Sequence, residues 1–265
     1  MVSIQRWGRV ALATGSVVFA GAVFAAPTTY YGFDASPQSQ VPANGASKAE
    51  HDAFLLALGG GKVATESFES YAYLSTPAAL FSSTASLSIA DEAGRSRIGK
   101  ESFDDGGNSA GRFNTTPDGQ YFWESSRSFT LSFDTAINGF GFYATDVGDF
   151  KGVLTVTING EDYVVYDGSE GGSTTSRAAG TSSEPTATNG SLLFWGITDF
   201  DTAFKQIVVT VSQPSGADSD ALGFDDMLAA VAASTPPSEV PEPASLALAG
   251  LALAGAAATR RRRQG

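Results

Sequence analysis

From Thr65 onward the chain is written in short apolar runs with a period of two, separated by turn residues. That pattern constrains the fold more than anything else in the sequence. Side chains of a strand alternate between two faces, so Phe129, Leu131 and Phe133 share one face, as do Phe140, Phe142 and Ala144. Leu154, Val156 and Ile158 do the same, and so do Ile207, Val209 and Val211. The spacing predicts strands over 65–71, 84–90, 128–134, 139–145, 152–158, 162–166, 191–197, 204–212 and 221–228. Asn159-Gly160 lies between two of these runs and is the strongest short hairpin signal available. Many short strands at such spacing build an antiparallel β-sandwich or barrel. The Gly-, Ser- and Thr-rich stretch 167–190 reads as one long loop.

Ahead of the strands the grammar differs. Residues 26–46 are rich in Pro, Ser, Gln and Gly and read as an irregular lead-in. Ser47 and Glu50 have capping-box spacing, and Ala49, Ala53, Leu56 and Ala57 recur with helical period. One short helix is expected over about 48–58, stopped by Gly59-Gly60-Gly61. His51, the single histidine, falls in its first turn and reads as an exposed helix residue.

Each end carries an uncharged apolar stretch. Arg6 and Arg9 precede the stretch 10–24, and Val23-Phe24-Ala25 offers small residues for a signal peptidase. Residues 1–25 are therefore expected to be a signal peptide. At the other end Val240-Pro241-Glu242-Pro243 leads into sixteen residues without charge, 244–259, followed by Arg260, Arg261, Arg262 and Arg263. As a helix that stretch spans roughly 24 Å, short of a hydrocarbon core of about 30 Å. Snorkelling arginines close the gap and hold their end cytoplasmic. The expected plan is signal peptide 1–25, lead-in with helix 26–64, β-sandwich 65–230, linker 231–239 and sorting tail 240–265.

The formal charge is −12. Without Arg6, Arg9 and the terminal arginines, ten basic residues face twenty-eight acidic ones, about −18 for the processed chain. Such a body does not bind nucleic acid through a general phosphate-neutralising surface. The sequence has no cysteine, so an apolar core must hold the domain together.

The tail at 240–265, with Pro-Glu-Pro, apolar helix and basic cluster in that order, resembles the PEP-CTERM sorting signal of Gram-negative bacteria. In that family an exosortase cuts near the Pro-Glu-Pro after passage through the inner membrane. The protein then goes to the cell surface or the extracellular polymer. Several stretches of the body resemble a recurrent ectodomain of such proteins. They are residues 54–59 running into Glu66-Ser67-Phe68-Glu69, then Arg112-Phe113-Asn114-Thr115-Thr116, residues 139–146, and Gly223-Phe224-Asp225-Asp226. The Phe-Glu opening and Asp-Asp closing also resemble jelly-roll carbohydrate-binding modules and related extracellular sandwiches. That resemblance implies a jelly roll with a structural calcium near Glu69 and Asp225 or Asp226. Since side chains alternate, the two aspartates are expected to face opposite sides of their strand.

No Cys-His, Ser-His, zinc-ligand or phosphate-loop constellation can be assembled. Glu124, Asp146, Asp149 and Asp199 are candidates for a two-carboxylate glycan hydrolase, but acids are too numerous for that to carry weight. Tyr121 and Trp123 share a face and are the candidates for stacking on sugar rings, while Trp195, in an apolar run, reads as core. The expectation is a non-catalytic surface or matrix protein associated with exopolysaccharide or biofilm. A carbohydrate-binding module and a glycan-acting enzyme are the alternatives.

Overall fold

A computed structural model describes residues 26–35, 40–90, 95–100, 111–148, 150–168, 190–213 and 220–232. The expected signal peptide and sorting tail, most of the loop expected at 167–190, and Asp149 lie outside the described residues. Thirteen strands and one helix follow in chain order. They are β1 (Thr28–Asp34), α1 (Ala46–Ala57), β2 (Lys62–Glu66), β3 (Ala79–Leu80), β4 (Ala85–Ile89), β5 (Ser96–Lys100) and β6 (Tyr121–Ser125). After these come β7 (Phe129–Ile137), β8 (Gly139–Thr145), β9 (Val153–Ile158), β10 (Glu161–Asp167), β11 (Leu192–Thr198), β12 (Phe204–Ser212) and β13 (Leu222–Val231).

The strands form two antiparallel sheets. The first runs β1-β11-β8-β13-β6-β5, with β2 paired to the C-terminal half of β13. The second runs β10-β9-β12-β7-β4-β3. Alternation does its expected work in the second sheet. Leu131, Val156 and Val209 point inward and are fully buried, while their sequence neighbours are partly exposed. The sheets meet through aromatic rings, with Phe129 of β7 edge-on to Phe224 of β13 at 5.3 Å and to Trp123 of β6 at 6.3 Å. Each such ring, fully buried, contributes about 1.5–3 kcal/mol. Trp195 is core, as its apolar run suggests. The β9–β10 hairpin turns on Asn159 and Gly160, both at positive φ (53° and 81°), as a type I′ turn demands.

The middle of the first sheet is buried on both faces. Every residue of β8 and of β11 is buried, because a second apolar layer covers the outside. Phe54 of α1 and Leu58 at its C-cap pack there with Phe113, Tyr143, Leu192 and Phe194. Close approach of the helix is possible because the sheet presents glycines. A Cβ on Gly139 would come within 2.9 Å of Leu58, and one on Gly196 within 3.0 Å of Phe54.

Four expectations are corrected. The lead-in is not irregular, because Thr28–Asp34 is an edge strand paired in register along β11. The first part of the chain therefore belongs to the sandwich. The first strand after the helix is Lys62–Glu66, which ends just where the strand expected over 65–71 begins. Helix α1 begins at Ala46, and Ser47 is not its cap. The N-cap is Gly45, which has no side chain to offer. Asp34, at the end of β1, caps instead, accepting from the Ala46 and Ser47 N–H groups at 2.8 and 3.0 Å and from the Ser47 hydroxyl at 2.6 Å. Finally, His51 is half-buried, not exposed. Its ring stacks on Tyr143 at 5.4 Å and meets Phe194 edge-on at 5.2 Å. Among the described residues no helix is long and apolar enough to cross a membrane.

Candidate functional site

The most densely bonded polar region is the segment 111–121, which lies over the first sheet and is fastened by acidic side chains. Its sequence gives it donors and little propensity for a helix or a ladder strand. At one end Arg112, 5% exposed, donates from Nη1 to Asp146 Oδ2 and to the Ala221 carbonyl, both at 3.0 Å. Phe113 N–H reaches the Thr145 hydroxyl at 3.3 Å. In the middle, Thr115 and Thr116 sit on the Asp-Asp pair of β13. Asp225 Oδ2 accepts from Thr115 N–H at 2.6 Å, from the Thr115 hydroxyl at 3.1 Å and from Thr116 N–H at 3.3 Å. Asp226 accepts from the same Thr115 hydroxyl at 2.9 Å and from the Thr116 hydroxyl at 2.7 Å. At the far end Glu69 Oε1 takes the Gln120 and Tyr121 N–H groups, each at 2.8 Å, and the Asn114 amide at 2.9 Å.

Glu69, Asp225 and Asp226 do converge on one segment. The two aspartates nevertheless break the alternation that the sequence implies. The register of β13 against β8 slips between Asp225 and Leu228, and Asp226 sits at φ 42°, in the left-handed region. This bulge turns both carboxylates to the same hydroxyl. Burial pushes the Asp225 carboxyl well above its ordinary range, and the neighbouring Asp226 adds to it. Asp226 is raised as well, again chiefly by burial.

The geometry does not fit a resident calcium ion. Calcium takes six to eight oxygens, several from carboxylates. Here both oxygens of Asp226, Oδ2 of Asp225 and Oε1 of Glu69 already accept N–H or O–H donors. Among the described residues no group of three or more His, Asp or Glu side chains is placed to hold a metal. The acids fasten the segment instead.

The remaining candidates are placed as follows. Trp123 is completely buried between the sheets, and Tyr121, on the same face, packs against that core. Phe122, on the opposite face, is also buried. Trp123 and Phe122 therefore present no face to solvent, while Tyr121 is half-buried. Glu124 and Asp146 are 2% exposed each, and both face Arg112. Asp199 is spent on a turn, accepting from the N–H groups of Asp201 and Thr202.

Two features escape the sequence. Glu66, 6% exposed, ties three loop groups together, accepting from Phe68 N–H, Phe81 N–H and the Tyr71 hydroxyl. Glu124 carries a set of arginines. Arg95 Nη1 approaches its Oε1 at 3.1 Å, Arg97 Nε its Oε2 at 3.0 Å, and Arg112 Nε its Oε1 at 3.4 Å. The only forewarning is an arginine pair two residues apart, which puts both on one strand face.

Comparison with known proteins identifies the end of the chain. Residues 239–263 match the PEP-CTERM protein-sorting motif. The chain carries that signal, which marks it for export and cell-surface sorting by an exosortase. No curated protein matches the chain. Among solved structures it is similar to the K2 cleaved adhesin domain of Lys-gingipain, at 17% identity and a TM-score of 0.37. That match covers 63% of this chain and 97% of the other.

Proposed function

We propose that this exported, exosortase-sorted chain is a non-catalytic component of the cell surface or extracellular matrix that associates with exopolysaccharide in the biofilm. The observation that carries the reading is the sorting motif at 239–263, joined to a β-sandwich held without disulfides. Two further observations support it. Of the acids named as hydrolase candidates, the three that are described are engaged within the protein: Glu124 by arginines, Asp146 by Arg112 and Asp199 by a turn. The pattern of two stacked antiparallel sheets suits the jelly-roll reading and a binding role. The signal helix at 1–25 and the membrane helix within 244–259 belong to the same proposal, with signal peptidase and exosortase as processing partners. Of the two rings named for the carbohydrate-binding-module alternative, Trp123 is buried and Tyr121 half-buried.

The test is cosedimentation of the full chain, in detergent, with insoluble neutral and acidic polysaccharides, followed by analysis of the polymers. The proposal expects association with intact polymer. Shortened polymer would replace it with an enzyme, and absence of association with every polymer would remove the exopolysaccharide role.

A further inference from the structure

Among the described residues, the guanidinium cluster on Glu124 is the one place in this acidic protein where positive charge is concentrated. Strand β5 pairs with β6 so that Arg97 lies opposite Glu124. Glu124 is buried beneath Arg95 and Arg97, whose side chains are 39% and 34% exposed. Arg112 belongs to the interior of the network, since Asp146 and the Ala221 carbonyl take its Nη1. Arg95 and Arg97 are thus the two arginines of the network that reach solvent.

Their geometry is fixed from below and from the side. A guanidinium has five N–H donors in a rigid fork. The ion pair to Glu124 engages Nη1 of Arg95 and Nε of Arg97, which leaves donors of each fork for a second anion. The strand cannot easily retreat. Arg95 N–H is held by the Ser126 hydroxyl at 3.1 Å, and the Ser96 and Ser125 hydroxyls meet at 2.9 Å. Along its other edge the Leu74 N–H bonds to the Ile98 carbonyl at 3.0 Å and the Ile98 N–H to the Ser75 carbonyl at 2.8 Å. A buried carboxylate that orients two half-exposed arginines side by side is a template for a planar anion. The overall negative charge does not forbid this, because screening confines surface fields to about 8 Å at physiological salt.

We infer that Arg95 and Arg97 form a binding site for the carboxylate of an acidic, uronic-acid-bearing polysaccharide. This rests on the exopolysaccharide association proposed above and names the chemistry of its ligand. The carboxylate accepts from both forks while Glu124 holds them apart. Binding is therefore weakened by salt and depends on arginine rather than on charge alone.

The experiment passes the full chain, in detergent at about 0.15 M salt, over immobilised polygalacturonate, dextran and dextran sulfate. The site predicts retention on polygalacturonate above that on dextran. Arg95→Gln with Arg97→Gln should lower that affinity about a hundredfold, tenfold for each guanidinium–carboxylate pairing removed. Arg97→Lys keeps the charge over Glu124 but has no fork, so it should weaken binding about tenfold with an unchanged melting temperature. This second variant decides the matter if the double variant fails to fold. Wild-type retention by the double variant, or by Arg97→Lys if only that folds, overturns the site. Retention on dextran sulfate alone overturns the uronate assignment. Binding to dextran without preference for polygalacturonate overturns the site and leaves the polysaccharide association standing. Retention on none of the three removes both.

Discussion

Replacing Asp225 by asparagine should stabilise the domain at alkaline pH. Asp225 has no exposed surface, and its Oδ1 is buried without a hydrogen-bond partner. Its Oδ2 holds Thr115 and Thr116 through two N–H groups and a hydroxyl. Truncation to alanine strands those donors and should cost about 3 kcal/mol. Asparagine keeps an acceptor oxygen for them, removes the charge and sets an amide NH2 where Oδ1 lies. The sign of the pH effect follows from the raised carboxyl. A folded-state pKa above the ordinary value of 3.8 gives stability that is full below 3.8 and is lost as pH rises through the folded value. Each pH unit inside that window costs about 1.4 kcal/mol. The wild type should therefore match the asparagine variant within about 1 kcal/mol at acid pH and fall behind it on the alkaline side. The assay is thermal melting of the full chain in detergent, wild type against Asp225→Asn and Asp225→Ala, from acid to alkaline pH, with EDTA and with calcium. The two media should agree. A difference between wild type and asparagine that ignores pH would refute the reasoning. So would an asparagine variant that melts as low as alanine at alkaline pH. Loss of stability by Asp225→Asn in calcium alone would restore a cation to the site.

Two further substitutions probe how the outer layer is fastened. Asp34→Ala removes the acceptor that caps α1 in place of Gly45, and should lower stability by about 1–2 kcal/mol, read as a lower melting temperature; an unchanged melt would mean the helix needs no cap from β1. Gly111→Ala places a Cβ at φ 86°, where it would overlap the Asp146 carboxylate, and should cost about 2–3 kcal/mol by chemical denaturation, whereas Gly160→Ala, with open space around it, should cost about 1 kcal/mol.

What the sequence reveals about this fold follows the range of the interaction. Local patterns are legible. The bounds of β8 and β12 come directly from alternation, and Asn159-Gly160 names its own turn. Long-range pairings are not. Thr28–Asp34 lacks an alternating pattern because only its end is buried, and it is a strand through its partner β11. The cap of α1 comes from Asp34, beyond a Pro- and Ser-rich loop, so no local motif announces it. Asp225 and Asp226 are legible as a pair near Glu69, but their common direction depends on a bulge that one left-handed residue creates. Tyr121 and Trp123 illustrate the opposite failure. Alternation shows that they share a face, yet β6 is covered on both faces, so no reading of polarity along that strand separates platform from core. Glu124 is visible as an acid, and its role becomes clear only when β5 brings Arg95 and Arg97 beside it.

The central claim is that the chain is sorted to the cell surface by recognition of its Pro-Glu-Pro signal, and one measurement tests it most directly. A Gram-negative host with an active exosortase expresses the wild type and the Pro241→Ala, Pro243→Ala double variant, and each is located by cell fractionation and weighed by mass spectrometry. The wild type should appear at the surface or in the extracellular polymer, shortened near Pro241–Pro243. The double variant should stay in the inner membrane with its tail intact, since the cut depends on the motif and not on hydrophobicity. A double variant found at the surface at the wild-type processed mass would contradict the account.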